Sequence, residues 1–269
     1  MSINAASLRH WIDNFYGYGR WEAPIWFISH EDGGGDLPEE VSEKLDYFQS
    51  THQSSAAPTL CDIREVYKHS TYRYEGPNPA NYLNLFDFRF GSRAKVNGVW
   101  RNLIAFVHAY HGKPGSDALE YQKKSFASHD VALIKLLPLP SPNSHAWYYS
   151  WLDMPEFPFL KSRMRYEEHL YPTRIKKLLE NIVRHKPELV LMYGMGAINL
   201  IKKLVTDLSP QVKFNMVKSV KLRTPQHHRA EINGTMLLLT TQIPALRHNR
   251  AETGFDWYEF GKSLRGWRI

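Results

Sequence analysis

The chain has one cysteine, Cys61, in 269 residues. That excludes an internal disulfide framework and any four-cysteine zinc or iron–sulfur site within one chain, and no iron–sulfur cluster is expected. No apolar run is long enough to span a bilayer, so no membrane partner is expected. There is no low-complexity linker to force a division, so residues 1–269 are read as a single domain. The opening stretch, "MSINAASLRHWIDNFYG", reads as an amphipathic helix rather than a signal peptide. A soluble, cytoplasmic protein is the expectation. What the chain has in surplus is positive charge, 34 Lys and Arg against 27 Asp and Glu, and aromatic residues at 13 %. The first favours a polyanionic partner, and the second exceeds the obvious need of a core, leaving candidate stacking surfaces for bases.

Four apolar stretches punctuate the chain as buried strands: "IWFIS" at 25–29, "VALIKLL" at 131–137, "ELVLMYG" at 188–194 and Met236–Thr240. Pro38 followed by Glu39 and Glu40 opens a helix to about residue 50. Helical spacing in "GVWRNLIAFVHAYHG", "YPTRIKKLLENIVRHK" and "MGAINLIKKLVTDL" places helices between the strands. Asn233–Gly234 marks a hairpin that leads into the last strand. Residues 51–97, rich in Ser, Pro, Asn and aromatics, read as a long irregular insertion lining a site. The order implies an α/β fold, a three-layer α/β/α sandwich around a mostly parallel sheet of four to five strands.

Ligands in such sheets bind at the carboxyl ends of strands, and three loops converge there: "SHEDGGGD", "PLPSPNSHAWYY" and "TQIPALRHNR". The first joins two acids, Glu31 and Asp32, to a glycine run whose freedom allows a tight turn and close backbone approach. The last carries Arg247, His248, Asn249 and Arg250 in one run, suited to a phosphate backbone beside a reactive centre.

In order and spacing these pieces resemble the uracil-DNA glycosylase superfamily over roughly residues 24–250. Its first motif, a strand ending in a Gly-x-(Asp/Asn/Ala)-Pro-type turn, is matched by "FISHEDGGG". Its Pro-rich middle loop is matched by "LIKLLPLPSPN", its strand–Gly–helix unit by "PELVLMYGMGAINLIKKL", and its Thr-x-His-Pro-Ser loop imperfectly by "LLLTTQIPALRHNR". The resemblance implies that Glu31 stands where a carboxylate or amide handles the attacking water, with Asp32 in place of the usual Pro. It puts Lys135 where an Asn often reads a pyrimidine edge; an ammonium only donates, which argues against plain uracil recognition. Gln242 or Ile243 stands where the motif has its His, so that either His248 stabilises the departing base from a few residues away or the leaving group needs less help.

The catalytic candidates are therefore Glu31, Asp32 and His248. Base-binding candidates are His30, Phe27, Lys135 and Asn143, with aromatics between Tyr82 and Phe90 as further stacking surfaces. Gly33, Gly34, Leu246, Arg247, Asn249 and Arg250 are the DNA-binding candidates, Leu246 and Arg247 serving as a wedge during base extrusion. The expected activity is hydrolysis of the N-glycosidic bond of a modified base, with a bulky modified pyrimidine in phage DNA as one substrate and repair or antiviral defence as the setting. Alternatives are a non-catalytic DNA-binding or sensing protein on the same fold, or a nucleotide or nucleoside hydrolase. "YGMGAINL" lacks the third glycine of a dinucleotide fingerprint, and His108, His111, His227 and His228 lack a third ligand at metal spacing, so no cofactor and no metal are expected. DNA is the expected partner and a monomer the expected state.

Overall fold

The computed structural model describes residues 3–33, 38–54, 58–69, 85–96, 98–113, 115–142, 145–245 and 255–266. The opening helix α1 (Ala5–Asn14) starts behind Asn4, whose side-chain oxygen accepts from the Ala6 and Ser7 N–H groups at 2.8 and 3.1 Å. There follow β1 (Phe15–Tyr18), β2 (Ile25–Ser29), α2 (Pro38–Thr51), β3 (Thr59–Cys61), α3 (Ile63–His69), α4 (Leu85–Arg89), α5 (Gly98–Tyr110), α6 (Ala118–Lys124) and β4 (Val131–Lys135). The second half contains α7 (Arg163–His185), β5 (Leu189–Met192), α8 (Ile198–Leu208), β6 (Asn215–Val217), β7 (His227–Ile232), β8 (Thr235–Leu239) and α9 (Trp257–Ser263).

The strands form one sheet in the order β3-β1-β4-β2-β5-β8-β7-β6. Its centre, β4-β2-β5-β8, is parallel throughout, and β1, β7 and β6 join antiparallel to their inner neighbours. Side-chain alternation builds a core on each face. Ile25, Phe27, Leu133, Leu191 and Leu238 enter one core, and Trp26, Ile28, Ile134, Met192 and Leu239 enter the other with Ile175 and Leu179 of α7 and Ile201 of α8. The expected three-layer α/β architecture is thus present, with eight strands where four to five were expected. The extra strands β1, β3 and β6 have three or four residues each, too few to show a period.

Two further expectations change. The segment 51–97 is not irregular throughout, since it holds the end of α2 together with β3, α3 and α4; residues 70–84, including Tyr82, lie outside the described residues. Helix α7 begins at Arg163, eight residues before the expected start at Tyr171, capped by Ser162, whose Oγ accepts from the Arg165 N–H at 3.2 Å. Pro172, which resembles a first-turn signal, lies inside the helix.

Strand β2 lies between β4 and β5, both later in the chain, so the topological switch point falls at its carboxyl end. Gly17 lets β1 close onto β4, the strand next to β2. Its φ is +129°, and a Cβ there would stand 2.1 Å from the Leu133 carbonyl oxygen. Gly17→Ala is expected to cost at least about 3 kcal/mol, since backbone strain and a backbone clash add. Urea denaturation checks it, and a loss under 1 kcal/mol would contradict the tight pairing of β1 with β4.

Candidate active site

The acidic loop and the Pro-rich loop form a continuous pair. Beyond the strands, the Leu136 N–H donates to Ser29 O at 2.9 Å, Leu137 N–H to His30 O at 2.7 Å and Ser141 N–H to Asp32 O at 3.0 Å. Proline leaves carbonyls in such a loop without ladder partners, and buried side chains supply them: Trp11 Nε1 donates to Pro138 O and the Tyr149 hydroxyl to Pro140 O, at 2.8 and 2.9 Å. The loops after β5 and β8 are joined likewise, through Gly194 N–H to Gln242 O at 3.0 Å. The loops after the four central strands are therefore tied to one another in pairs.

On this frame the two acids take different partners. Asp32 pairs through Oδ1 with Lys135 Nζ at 2.5 Å, and its Oδ2 accepts from the Tyr18 hydroxyl at 2.9 Å. Lys135 also donates to Ser29 Oγ at 3.1 Å. Burial alone would lower the Lys135 pKa, but Asp32, with the neighbouring Tyr193, holds it above the ordinary lysine value. Burial pushes the Tyr18 hydroxyl up, and Asp32 adds to the shift, so it remains a donor.

Glu31 turns toward α7. Its Oε1 accepts from Arg163 Nη2 at 2.6 Å, while its buried Oε2 makes no hydrogen bond. Arg163 is shared, because its Nε also donates to Glu167 at 3.0 Å. Burial dominates the Glu31 carboxyl and raises its pKa to about 7, against the lowering effect of Arg163. His30 hydrogen-bonds the Tyr171 hydroxyl through Nε2 at 2.6 Å. Burial first, and Arg163 second, lower its pKa to about 4, leaving a neutral imidazole near pH 7.

Of the residues singled out in the sequence, Glu31, Asp32, His30 and Lys135 meet here. Phe27 does not belong with them: it is 1 % exposed and packs edge-on against Phe106, so its ring has no face for a base. Gly33 borders the site, but its φ is ordinary and a Cβ would meet nothing within 4 Å, so neither backbone nor crowding demands glycine there. Phe90 packs in the core, and Phe86 lies partly buried against it. His227 and His108 are buried structural histidines, ring-packed on Phe260 and Tyr121. Asn143, Gly34, Leu246, Arg247, His248, Asn249 and Arg250 lie outside the described residues.

Tyr18, Arg163, Glu167, Tyr171 and Tyr193 were not legible as site residues. Arg163, Glu167, Tyr171 and Arg174 do recur at helical spacing, a polar stripe on an otherwise apolar face of α7. Among the described residues no group of three His, Cys, Asp or Glu is placed to hold a metal, and no helix is long and apolar enough to cross a membrane. No protein-family model matches the chain, and a comparison with curated proteins gives no match.

The raised Glu31 pKa has a stability consequence. The folded state holds its proton up to about pH 7, whereas the unfolded chain loses it near pH 4.3. Stability from this group is therefore present in acid and lost as pH rises through 7. His30 acts oppositely, adding stability as pH rises from about 4 toward its ordinary value. Glu31→Gln keeps the His30 slope and removes the Glu31 one. Between pH 5 and 8 the parent should lose up to about 3 kcal/mol that the variant does not lose. Denaturation midpoints at several pH values test it, and parallel curves would contradict the buried, proton-holding carboxyl.

Proposed function

We propose that the chain is a DNA glycosylase that hydrolyses the N-glycosidic bond of a modified base and leaves an abasic site. The observation that carries the reading is Glu31, a buried carboxyl titrating near pH 7 with a free Oε2, set beside the Asp32–Lys135 pair at the sheet's switch point.

In the reaction the water oxygen bonds to C1′ as the C1′–N bond breaks, and the electron pair leaves with the base. The sugar passes through an oxocarbenium-like state. Ionised Glu31 takes the proton of the attacking water, and the carboxylates of Glu31 and Asp32 oppose the positive sugar. Lys135 supplies an ammonium for the charge developing on the base, a donor that does not match a uracil edge as an amide would. Neutral His30 and the Tyr171 hydroxyl offer further hydrogen bonds to a base substituent. A modified pyrimidine fits this donor-rich lining better than uracil. The surplus of 34 basic over 27 acidic residues suits DNA as partner.

The test is abasic-site formation on duplexes carrying uracil, oxidised, alkylated or glucosylated bases. Wild type should release at least one of them. Glu31→Gln should be slower by roughly 10²- to 10⁴-fold. The wild-type rate should rise with pH through about 7 and then level, because the ionised form of Glu31 is the base. A Gln variant as active as its parent, or no release from any duplex, would overturn the reading. In the latter case, retained salt-sensitive binding would identify a non-catalytic DNA binder.

A further inference from the structure

The far edge of the sheet carries a device that the catalytic reading does not use. Between Asp207 and Glu231 the sequence has no acid and five cations, Lys213, Lys218, Lys221, Arg223 and Arg229. Part of this segment closes into a tight hairpin joining β6 to β7. Val220 and Thr224 form an isolated bridge, exchanging N–H···O bonds of 3.0 Å in both directions, and Arg223 N–H also donates to Val220 O at 3.0 Å. Lys221, Leu222 and Arg223 form its tip.

Leu222 is the unusual member. Its φ is +60°, in the left-handed region that favours glycine or asparagine, and it is 44 % exposed. Lysines at a sheet edge are explained by protection against edge-to-edge pairing. A leucine held out of the core in a strained backbone, between two cations, is not explained that way.

The register fixes where this tip lies. Ile28, Met192, Leu239, His228 and Met216 stand in one row across β2, β5, β8, β7 and β6. Strand β6 runs in the same direction as β2, so the hairpin leaves the sheet at the end where Glu31 and Asp32 stand. Four strand spacings separate β2 from β6, about 19 Å across the sheet. That distance is spanned by about five or six base pairs of a duplex, at one phosphate pair per 3.4 Å.

We propose that the Lys221–Leu222–Arg223 tip is a second contact on the DNA that enters the active site. Lys221 and Arg223 hold phosphates on the two sides of a groove, and Leu222 presses into that groove between them. Apolar side chains set among cations are used in this way on the minor groove. Arg223 also lines a groove against α9 with Arg229 and Lys262, where three cations face one acid, Glu259. The inference rests on the reading of the chain as a DNA enzyme and adds the track the DNA follows away from the reactive carbon.

The experiment measures dissociation from a 25-base-pair duplex over a series of salt concentrations, with base release followed on the same duplex. Lys221→Ala/Arg223→Ala should lower the slope of log affinity against log salt by about 1.8, two phosphate contacts at about 0.9 each. The control, Lys176→Ala/Lys177→Ala, removes the same charge from exposed positions of α7 about 20 Å along the helix from Arg163, and should leave the slope unchanged. Leu222→Ala should weaken duplex binding at least about fivefold with little change in slope. An unchanged slope in the double variant, or equal losses in the control, overturns the phosphate contact. Unchanged affinity in Leu222→Ala overturns the wedge. Base release with an unchanged slope would leave the glycosylase reading standing without this track; a lowered slope without release would do the reverse.

Discussion

The guanidinium of Arg174 ties together the elements that carry the candidate site. It is 2 % exposed, and its nitrogens donate to Phe15 O, Lys135 O and Leu136 O at 2.9, 2.7 and 2.9 Å, with the Tyr16 ring 3.5 Å away. A buried cation is tolerated only when its donors are satisfied, so the start of β1, the end of β4 and the middle of α7 are held in one arrangement. Lys135 reaches Asp32 from a backbone that Arg174 holds in place. Arg163, Glu167 and Tyr171 reach Glu31 and His30 from the helix that Arg174 anchors. The two halves of the site are positioned by the same side chain.

Burial then sets the chemistry, in opposite senses for adjacent residues. It raises the Glu31 carboxyl to about 7 and lowers the His30 imidazole to about 4. Between these values both are neutral, and the 3.9 Å approach of His30 Nδ1 to Glu31 Oε2 is no ion pair. The single guanidinium of Arg163 serves two carboxylates, so a neutral Glu31 leaves it balanced by Glu167. Asp32, one residue on, instead has a lysine and a tyrosine hydroxyl of its own. Neighbouring acids given unlike partners can take unlike tasks.

Much of the architecture was legible in advance. The central strands are apolar on both faces because helices cover both, and such runs stand out in a sequence. The Asn233–Gly234 turn was legible because φ values of 49° and 85° suit those two residues. Strands β1, β3 and β6 were not legible, since their three or four residues show neither a period nor an unbroken aliphatic run such as the one that marks β5. The early start of α7 was masked by Pro172, which carries the chemistry of a first turn but sits well inside the helix. Phe27 shows the limit of reading a strand alone: alternation says that successive side chains face opposite ways, and the helices decide what each face meets.

The sequence by itself determined that an acidic, glycine-bearing loop follows a buried strand, and the order of strands around it made that loop a candidate site. Glu31, Asp32 and Lys135 were identifiable because they stand at strand ends, where a backbone leaving the sheet directs side chains toward a shared crevice. Only the tertiary structure decided which acid holds a proton near neutrality. Arg163 is 132 residues from Glu31 in the chain, and the burial around the carboxyl comes from α7 and the Pro-rich loop, neither of which is local to it. A pKa depends on distances to charges and on the exclusion of water, and those exist only once the layers have closed.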